Sequence, residues 1–235
     1  MNDLALSRKK ASLREVTETM PAKSVNVRAR PSAGRRTQAE RTAQSDARML
    51  EAAKHLIIKQ GTHATTLKSV GEEAGYSRGL ASNRFGSKEA LFAQLVLQFN
   101  NNWTQELAAR VDNRTGAQAC LAALDAVEGF LASQSEDMKA MYILWYESIS
   151  SHNNVRSHLA AYHKIYRCDV AHWVNEGIEA GEISADIDSD GYAFQFCSFI
   201  FGTVYQWLVA PEQVDLARQF AAFRKSTVCV FDLDI

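Results

Sequence analysis

The chain has 235 residues, 46% of them hydrophobic, which is enough for a substantial core in one large or two modest domains. Its four cysteines, Cys120, Cys168, Cys197 and Cys229, stand far apart without C-x-x-C or zinc-ligand spacing, which argues against a disulfide framework or structural metal and for a reducing, cytoplasmic setting. The net charge of −1 hides a division: residues 1–100 carry 17 basic and 9 acidic side chains and residues 101–235 carry 9 and 18, so the front half suits a polyanion that the rear half would repel.

In chain order, "MNDLALSRKK" turns basic before any apolar run develops, so no secretory leader is expected. Residues 1–42 hold ten Lys or Arg against four acids, two of the three prolines and few large apolar side chains, the composition of a basic arm without a stable fold of its own. From Gln44 a first helix is expected, capped by Ser45, with Met49, Leu50, Ala53, Leu56 and Ile57 at helical spacing and Gly61 as its stop. A second runs from Leu67 to Ala74 with Thr66 as cap and Gly75 as breaker. A third runs from Arg78 to about Phe85 behind Ser77. Ser87 caps a fourth, whose apolar face carries Leu91, Phe92, Leu95, Val96, Phe99 and Trp103. Further helices are expected near 117–133, 137–149, 154–180 and 188–209, the last of these capped by Asp188, and a final one from Pro211 to about Val230. No useful β-type alternation appears, so the fold class is all-α.

The second and third helices, joined by a tight turn at Gly75 with Gly71 four positions before it, form a helix-turn-helix over about residues 66–85. Val70, Ala74, Ala81 and Phe85 are expected to face the core. Arg78, Gly79, Leu80, Ser82, Asn83 and Arg84 then lie on or near the exposed side, where arginine grips a guanine edge or a phosphate and asparagine pairs with adenine. The plain alternative is a pair of corner helices with a solvated polar surface, in a helical enzyme or interaction scaffold.

Read whole, "AAKHLIIKQGTHATTLKSVGEEAGYSRGLASNRFGSKEALF" resembles the tetracycline-repressor (TetR) family of bacterial one-component transcription regulators. The likeness is strong over about residues 43–103 and beyond them rests on helix number and length. It implies an N-terminal three-helix helix-turn-helix domain over 43–103 and a C-terminal helical ligand-binding and dimerisation domain over 104–235. It also implies a homodimeric repressor without enzymatic activity or cofactor, which holds double-stranded operator DNA and is released by a small apolar or amphipathic effector. By the same resemblance, Thr66 is a phosphate contact as well as a cap, Ser77, Arg78 and Gly79 form the turn into the recognition helix, and Lys88 meets the DNA backbone. Lys68 belongs to the same DNA-facing set. The chain departs from the family at Ser82, where an aromatic is common, at Arg84, where histidine or tyrosine is common, and at Gly71, a frequent alanine.

In the rear half, the helix near 188–209 is apolar nearly all round and must be covered on both sides. Gln195, Ser198, Thr203 and Gln206 set it apart from a membrane span. The resemblance implies a four-helix dimer interface, here with Phe194, Cys197, Phe201, Tyr205 and Leu208 on one helix and Ala217, Phe220 and Ala221 on the other. Trp103, Phe130, Met141, Tyr142, Trp145, Tyr146, Tyr162, Tyr166 and Trp173 read from spacing as simple core, whereas the resemblance makes them the wall of a ligand cavity. His152, His158, His163 and His172 hold no shared helical face, and neither a metal site nor catalysis is expected of them.

Overall fold

The computed structural model describes residues 37–150 and 154–233, so all but the end of the basic arm lies outside the described residues, as does His152. Among the described residues there are nine helices and no strand, the all-α class read from the sequence. They are α1 (Gln38–Ala64), α2 (Leu67–Glu73), α3 (Leu80–Phe85), α4 (Lys88–Val111), α5 (Gly116–Ser133), α6 (Ser135–Ser148), α7 (Asn154–Glu179), α8 (Ser189–Val209) and α9 (Leu216–Val230).

The first helix starts earlier than expected and Ser45 does not cap it. Ser45 is buried inside α1 and donates back to the Thr42 carbonyl at 2.8 Å, while Glu40 in the first turn complements the positive helix end. Gly61 breaks the helix as expected, at φ 77°, a conformation that costs glycine nothing, and one further turn follows. Thr66 and Ser69 form a reciprocal capping box at the start of α2, with Ser69 N donating to Thr66 Oγ1 at 3.1 Å and Thr66 N to Ser69 Oγ at 3.0 Å.

The third helix, α3, is shorter than expected, beginning at Leu80 with Gly79 at its N-cap and no side-chain cap from Ser77. The segment 77–79 is turn instead, closed by Leu80 N donating to the Ser77 carbonyl at 3.0 Å. That turn sits directly on α2. Tyr76 N donates to the Gly71 carbonyl at 2.8 Å, and a methyl group at Gly71 would meet the Ser77 carbonyl oxygen at 2.9 Å. Gly71 therefore serves a close backbone approach, for which its low helix propensity is the cost.

Caps read from the sequence start two of the longer helices: Ser87 accepts from Ala90 N at 3.1 Å and Asp188 from Gly191 N at 3.0 Å. Pro211 does not open the last helix. It lies in a turn, and α9 starts at Leu216 because Asp215 accepts from Arg218 N at 3.0 Å, while Ala210, before the proline, has no side chain with which to cap.

The core sits where α7 packs against α8, α5 and α4. Phe130 is fully buried and meets Phe99 and Trp103 edge-on, with ring centroids at 5.3 and 5.9 Å. Each such side chain contributes about 1.5–3 kcal/mol through burial. Arg224 fastens α9 to α5 by pairing with Asp125 at 2.6 Å and with Glu128, and by donating to the Leu121 carbonyl at 3.1 Å. Among the described residues α8 is not covered on both sides: Phe196, Cys197 and Val204 face inward, whereas Phe194, Tyr205 and Val209 remain 62%, 42% and 67% exposed. No helix among the described residues is long and apolar enough to cross a membrane.

Candidate nucleic-acid interface and internal cavity

The helix-turn-helix presents Thr66, Lys68, Ser77, Arg78, Gly79, Ser82, Asn83 and Arg84 to solvent, with Leu80 and Lys88 half-buried. Val70 and Ala81 are fully buried, and Ala74 and Phe85 are half-buried. Three of the four charged members of this surface are engaged within the chain. Arg78 pairs with Glu72, and Arg84 Nε lies 2.9 Å from Asp46 on α1. Lys88 Nζ donates to the Thr62 carbonyl at 3.3 Å and lies 5.9 Å from the centre of the Phe92 ring. The Arg84 and Lys88 ties hold α3 and the start of α4 against α1, and the Arg78 pair holds the turn to α2, roles that residue type and spacing do not reveal.

Two links join the same region to α6. Lys54 of α1 pairs with Asp137, and the Thr62 hydroxyl donates to the Glu147 carboxylate. Burial pulls the Lys54 ammonium down, but its hydrogen bonds to Asp137 and Glu51 outweigh this and hold its pKa above 10.5.

α6 also carries part of the wall of an internal cavity of about 70 Å³, almost wholly apolar. Of the residues expected there, Trp103, Tyr142, Trp145, Tyr166 and Trp173 line it. Phe130, Met141 and Tyr162 are buried but do not line it, and Tyr146 is 48% exposed and packs at a tilt on Tyr205 with ring centroids 4.8 Å apart. The structure adds Phe99, one turn before Trp103 on the same face of α4, and Asp169 of α7. The first was legible from helical spacing, whereas the carboxylate carried no such signal.

Three residues expected at a dimer interface pack within their own chain. Cys197 and Phe201 line the cavity because that stripe of α8 faces α7, and Phe220 is fully buried in its own chain. Phe194, Tyr205, Ala217 and Ala221 are exposed, and Leu208 is half-buried.

Hydrogen bonds around the cavity leave a residue of unmet polar groups. Tyr142 donates to the Phe201 carbonyl and Tyr166 to Asn100 Oδ1, both at 3.0 Å, and burial pushes both phenols well above their ordinary range. Burial likewise pushes the Cys197 thiol up to about 12. His163 is held below its usual range by burial and by Arg167, so its ring is neutral at pH 7. Trp145 Nε1 and His163 Nε2 are buried with no protein hydrogen-bond partner. No three His, Cys, Asp or Glu among the described residues group as metal ligands.

A basic-fronted helix-turn-helix joined to a helical body with an apolar cavity defines a DNA-binding regulator. Residues 49–95 match the family described as bacterial regulatory proteins, tetR family. Residues 49–95 therefore carry the DNA-binding domain of that family, which makes the chain a DNA-binding transcriptional regulator. Among curated proteins none matches the sequence.

Solved structures share the fold. SmeT, the repressor of the SmeDEF multidrug efflux pump of Stenotrophomonas maltophilia, is 20% identical with a TM-score of 0.67, over 81% of this chain and 91% of that one. The SmeT–triclosan complex is also 20% identical, with a TM-score of 0.68 over 79% and 90%. A regulator from Saccharomonospora viridis in complex with choline is 16% identical, with a TM-score of 0.69 over 79% and 96%.

Proposed function

We propose that the chain is a cytoplasmic homodimeric repressor that holds operator DNA through its helix-turn-helix and releases it when a small apolar or amphipathic effector enters the cavity. The observation that carries this reading is the double attachment of α6, which contributes Tyr142 and Trp145 to the cavity wall and meets the DNA-binding part through Asp137 and Glu147. α4 runs in parallel, from Lys88 beside the recognition helix to Trp103 in the wall. At about 70 Å³ the cavity is smaller than the roughly 300–1,000 Å³ of drug-sized sites. A larger effector has to displace the wall, and displacement of α4 or α6 reaches the DNA face. The triclosan and choline complexes of the structural relatives support a small-molecule receptor, and the SmeT repressor supports the sign of regulation.

A dimer supplies the second reading head, and the exposed apolar stripe of Phe194, Tyr205 and Val209 with Ala217 and Ala221 of α9 supports burial against a symmetry mate. The domain limits that fit this reading are 43–103 for DNA and 104–235 for effector and partner. The test is selection of a preferred duplex from a random pool, followed by titration of that complex with compact aromatic and amphipathic compounds. Release by at least one compound is expected. A chain that selects no sequence, or a complex that every compound leaves intact, overturns it.

A further inference from the structure

The cavity is matched to an apolar molecule, yet two polar atoms beside it lack partners. Trp145 lines the cavity with its Nε1 buried and unbonded. The His163 ring stands edge-on to Trp145 at 5.2 Å and lies 4.8 Å from Phe201, a second wall residue, and its Nε2 is also buried and unbonded. Buried polar groups left unpaired are costly, so Trp145 Nε1 in the wall and His163 Nε2, on a ring packed against the wall residues Trp145 and Phe201, define a demand for one ligand group. An indole N–H only donates. A neutral imidazole nitrogen accepts in one tautomer and donates in the other. A carboxylate would meet the indole but would have to be buried as an ion in a largely apolar cavity lined by the acid Asp169, which is far more expensive than burying a neutral group. A hydroxyl oxygen can accept from Trp145 while its hydrogen goes to His163.

We propose that the effector is a compact neutral molecule bearing a hydroxyl on an apolar, ring-sized body, its oxygen accepting from Trp145 Nε1 and its proton donated to His163 Nε2. The inference rests on the reading of the cavity as an effector site and specifies its chemistry. Volume supports the ring-sized body, because about 70 Å³ admits little more before the wall moves.

The test is calorimetric titration of the full chain with 4-ethylphenol and with ethylbenzene, which share a body and differ by the hydroxyl. An indifferent greasy cavity prefers ethylbenzene, because the phenol must shed water without compensation. The proposal expects 4-ethylphenol to bind at least about tenfold more tightly, the effect of about one net hydrogen bond. It also expects His163→Phe and Trp145→Phe each to collapse that ratio towards or below one. Each ratio compares two ligands in the same variant cavity, so packing lost through the substitution cancels. Equal binding, a preference for ethylbenzene, or a ratio unchanged in both variants overturns the hydroxyl assignment and leaves the effector site standing. Failure of both compounds to bind overturns the assignment together with the reading of this cavity as a receptor.

Discussion

The Thr62 hydroxyl, just past the break in α1, donates to the Glu147 carboxylate on the last turn of α6, while the Thr62 carbonyl accepts from Lys88 at the first turn of α4. One residue therefore touches both helices that lead from the DNA face to the cavity. A double-mutant cycle with Thr62→Val and Glu147→Gln, followed by urea unfolding, should give a coupling of about 0.5–1 kcal/mol, the range for a partly solvated hydrogen bond. Either single variant should leave the ligand-free affinity for the preferred duplex close to normal and shrink the loss of affinity caused by a bound compound. Full release in both variants would remove Thr62 from the coupling route.

Lys54 is the second fastening between α1 and α6, with only 12% of its side chain exposed and Asp137 at 18%. Lys54→Met strands the Asp137 carboxylate and should cost about 1–3 kcal/mol at pH 7, measured by urea unfolding. The pH dependence has a defined sign. The folded pKa stands above 10.5, so the contribution is complete below that value and is lost as pH rises through the folded pKa. The difference between wild type and Lys54→Met should therefore be constant from pH 7 to 10 and narrow above about 10.5. A gap that widens in alkali would contradict the pairing.

How much of this was legible beforehand depended on whether the deciding physics was local. Thr66, Ser87 and Asp188 were identified as caps because a cap is settled by a side chain and a backbone amide three residues on. Ser45 and Ser77 have the same chemistry and do not cap: Ser45 is overtaken by a helix that extends upstream, and Ser77 gives its carbonyl, not its hydroxyl, to the turn. The cavity was half visible. Residues such as Phe130 and Trp103 are equally aromatic, and only packing decides that the second lines it while the first does not. α8 reads from its sequence as apolar nearly all round, which conceals which stripe turns inward. Ion pairs such as Arg84 with Asp46, 38 positions apart, leave no periodic trace at all.

Gly71 illustrates a residue whose propensity and packing oppose each other. Alanine there gains about 1 kcal/mol of helix propensity, but its methyl would lie 2.9 Å from the Ser77 carbonyl oxygen, a backbone atom that moves only with the turn. Overpacking of this kind costs about 1–3 kcal/mol. Gly71→Ala should therefore be neutral to destabilising by about 2 kcal/mol in thermal or urea unfolding, and should weaken DNA binding by shifting residues 77–79. A variant more stable than wild type, with unchanged affinity, would show that the approach is slack.

The four cysteines should divide cleanly in reactivity. Cys120 and Cys197 are buried, with thiols pushed up to about 12 by that burial, whereas Cys168 and Cys229 are exposed. Alkylation of the native chain at pH 8 should modify Cys168 and Cys229 readily and the other pair only on unfolding, as mass mapping would show. Occupation of the cavity should leave Cys168 and Cys229 unaffected. Rapid native labelling of Cys197 would mean that the cavity opens far more often than its packing suggests.

The recognition surface yields a prediction that separates reading from bracing. Asn83 is exposed on α3, and Asn83→Ala should relax base preference at one position per half-site at a cost of about 1–3 kcal/mol, visible as a changed binding-site logo. Arg84 stands next to it but is held by Asp46 of α1 at 2.9 Å, with two-thirds of its side chain covered. If Arg84 is a brace, Arg84→Ala lowers affinity for all sequences without altering the logo, and Asp46→Asn, which leaves the arginine in place and removes its partner, does the same. If instead Arg84 leaves Asp46 to neutralise a phosphate, the two substitutions diverge. Arg84→Ala then flattens the dependence of log affinity on log salt by about 0.9 per site, while Asp46→Asn keeps the slope and frees the arginine to bind more tightly. The salt-bridged geometry favours the brace, so parallel losses with equal salt slopes are expected, and divergence of the two variants would return Arg84 to the set of phosphate contacts.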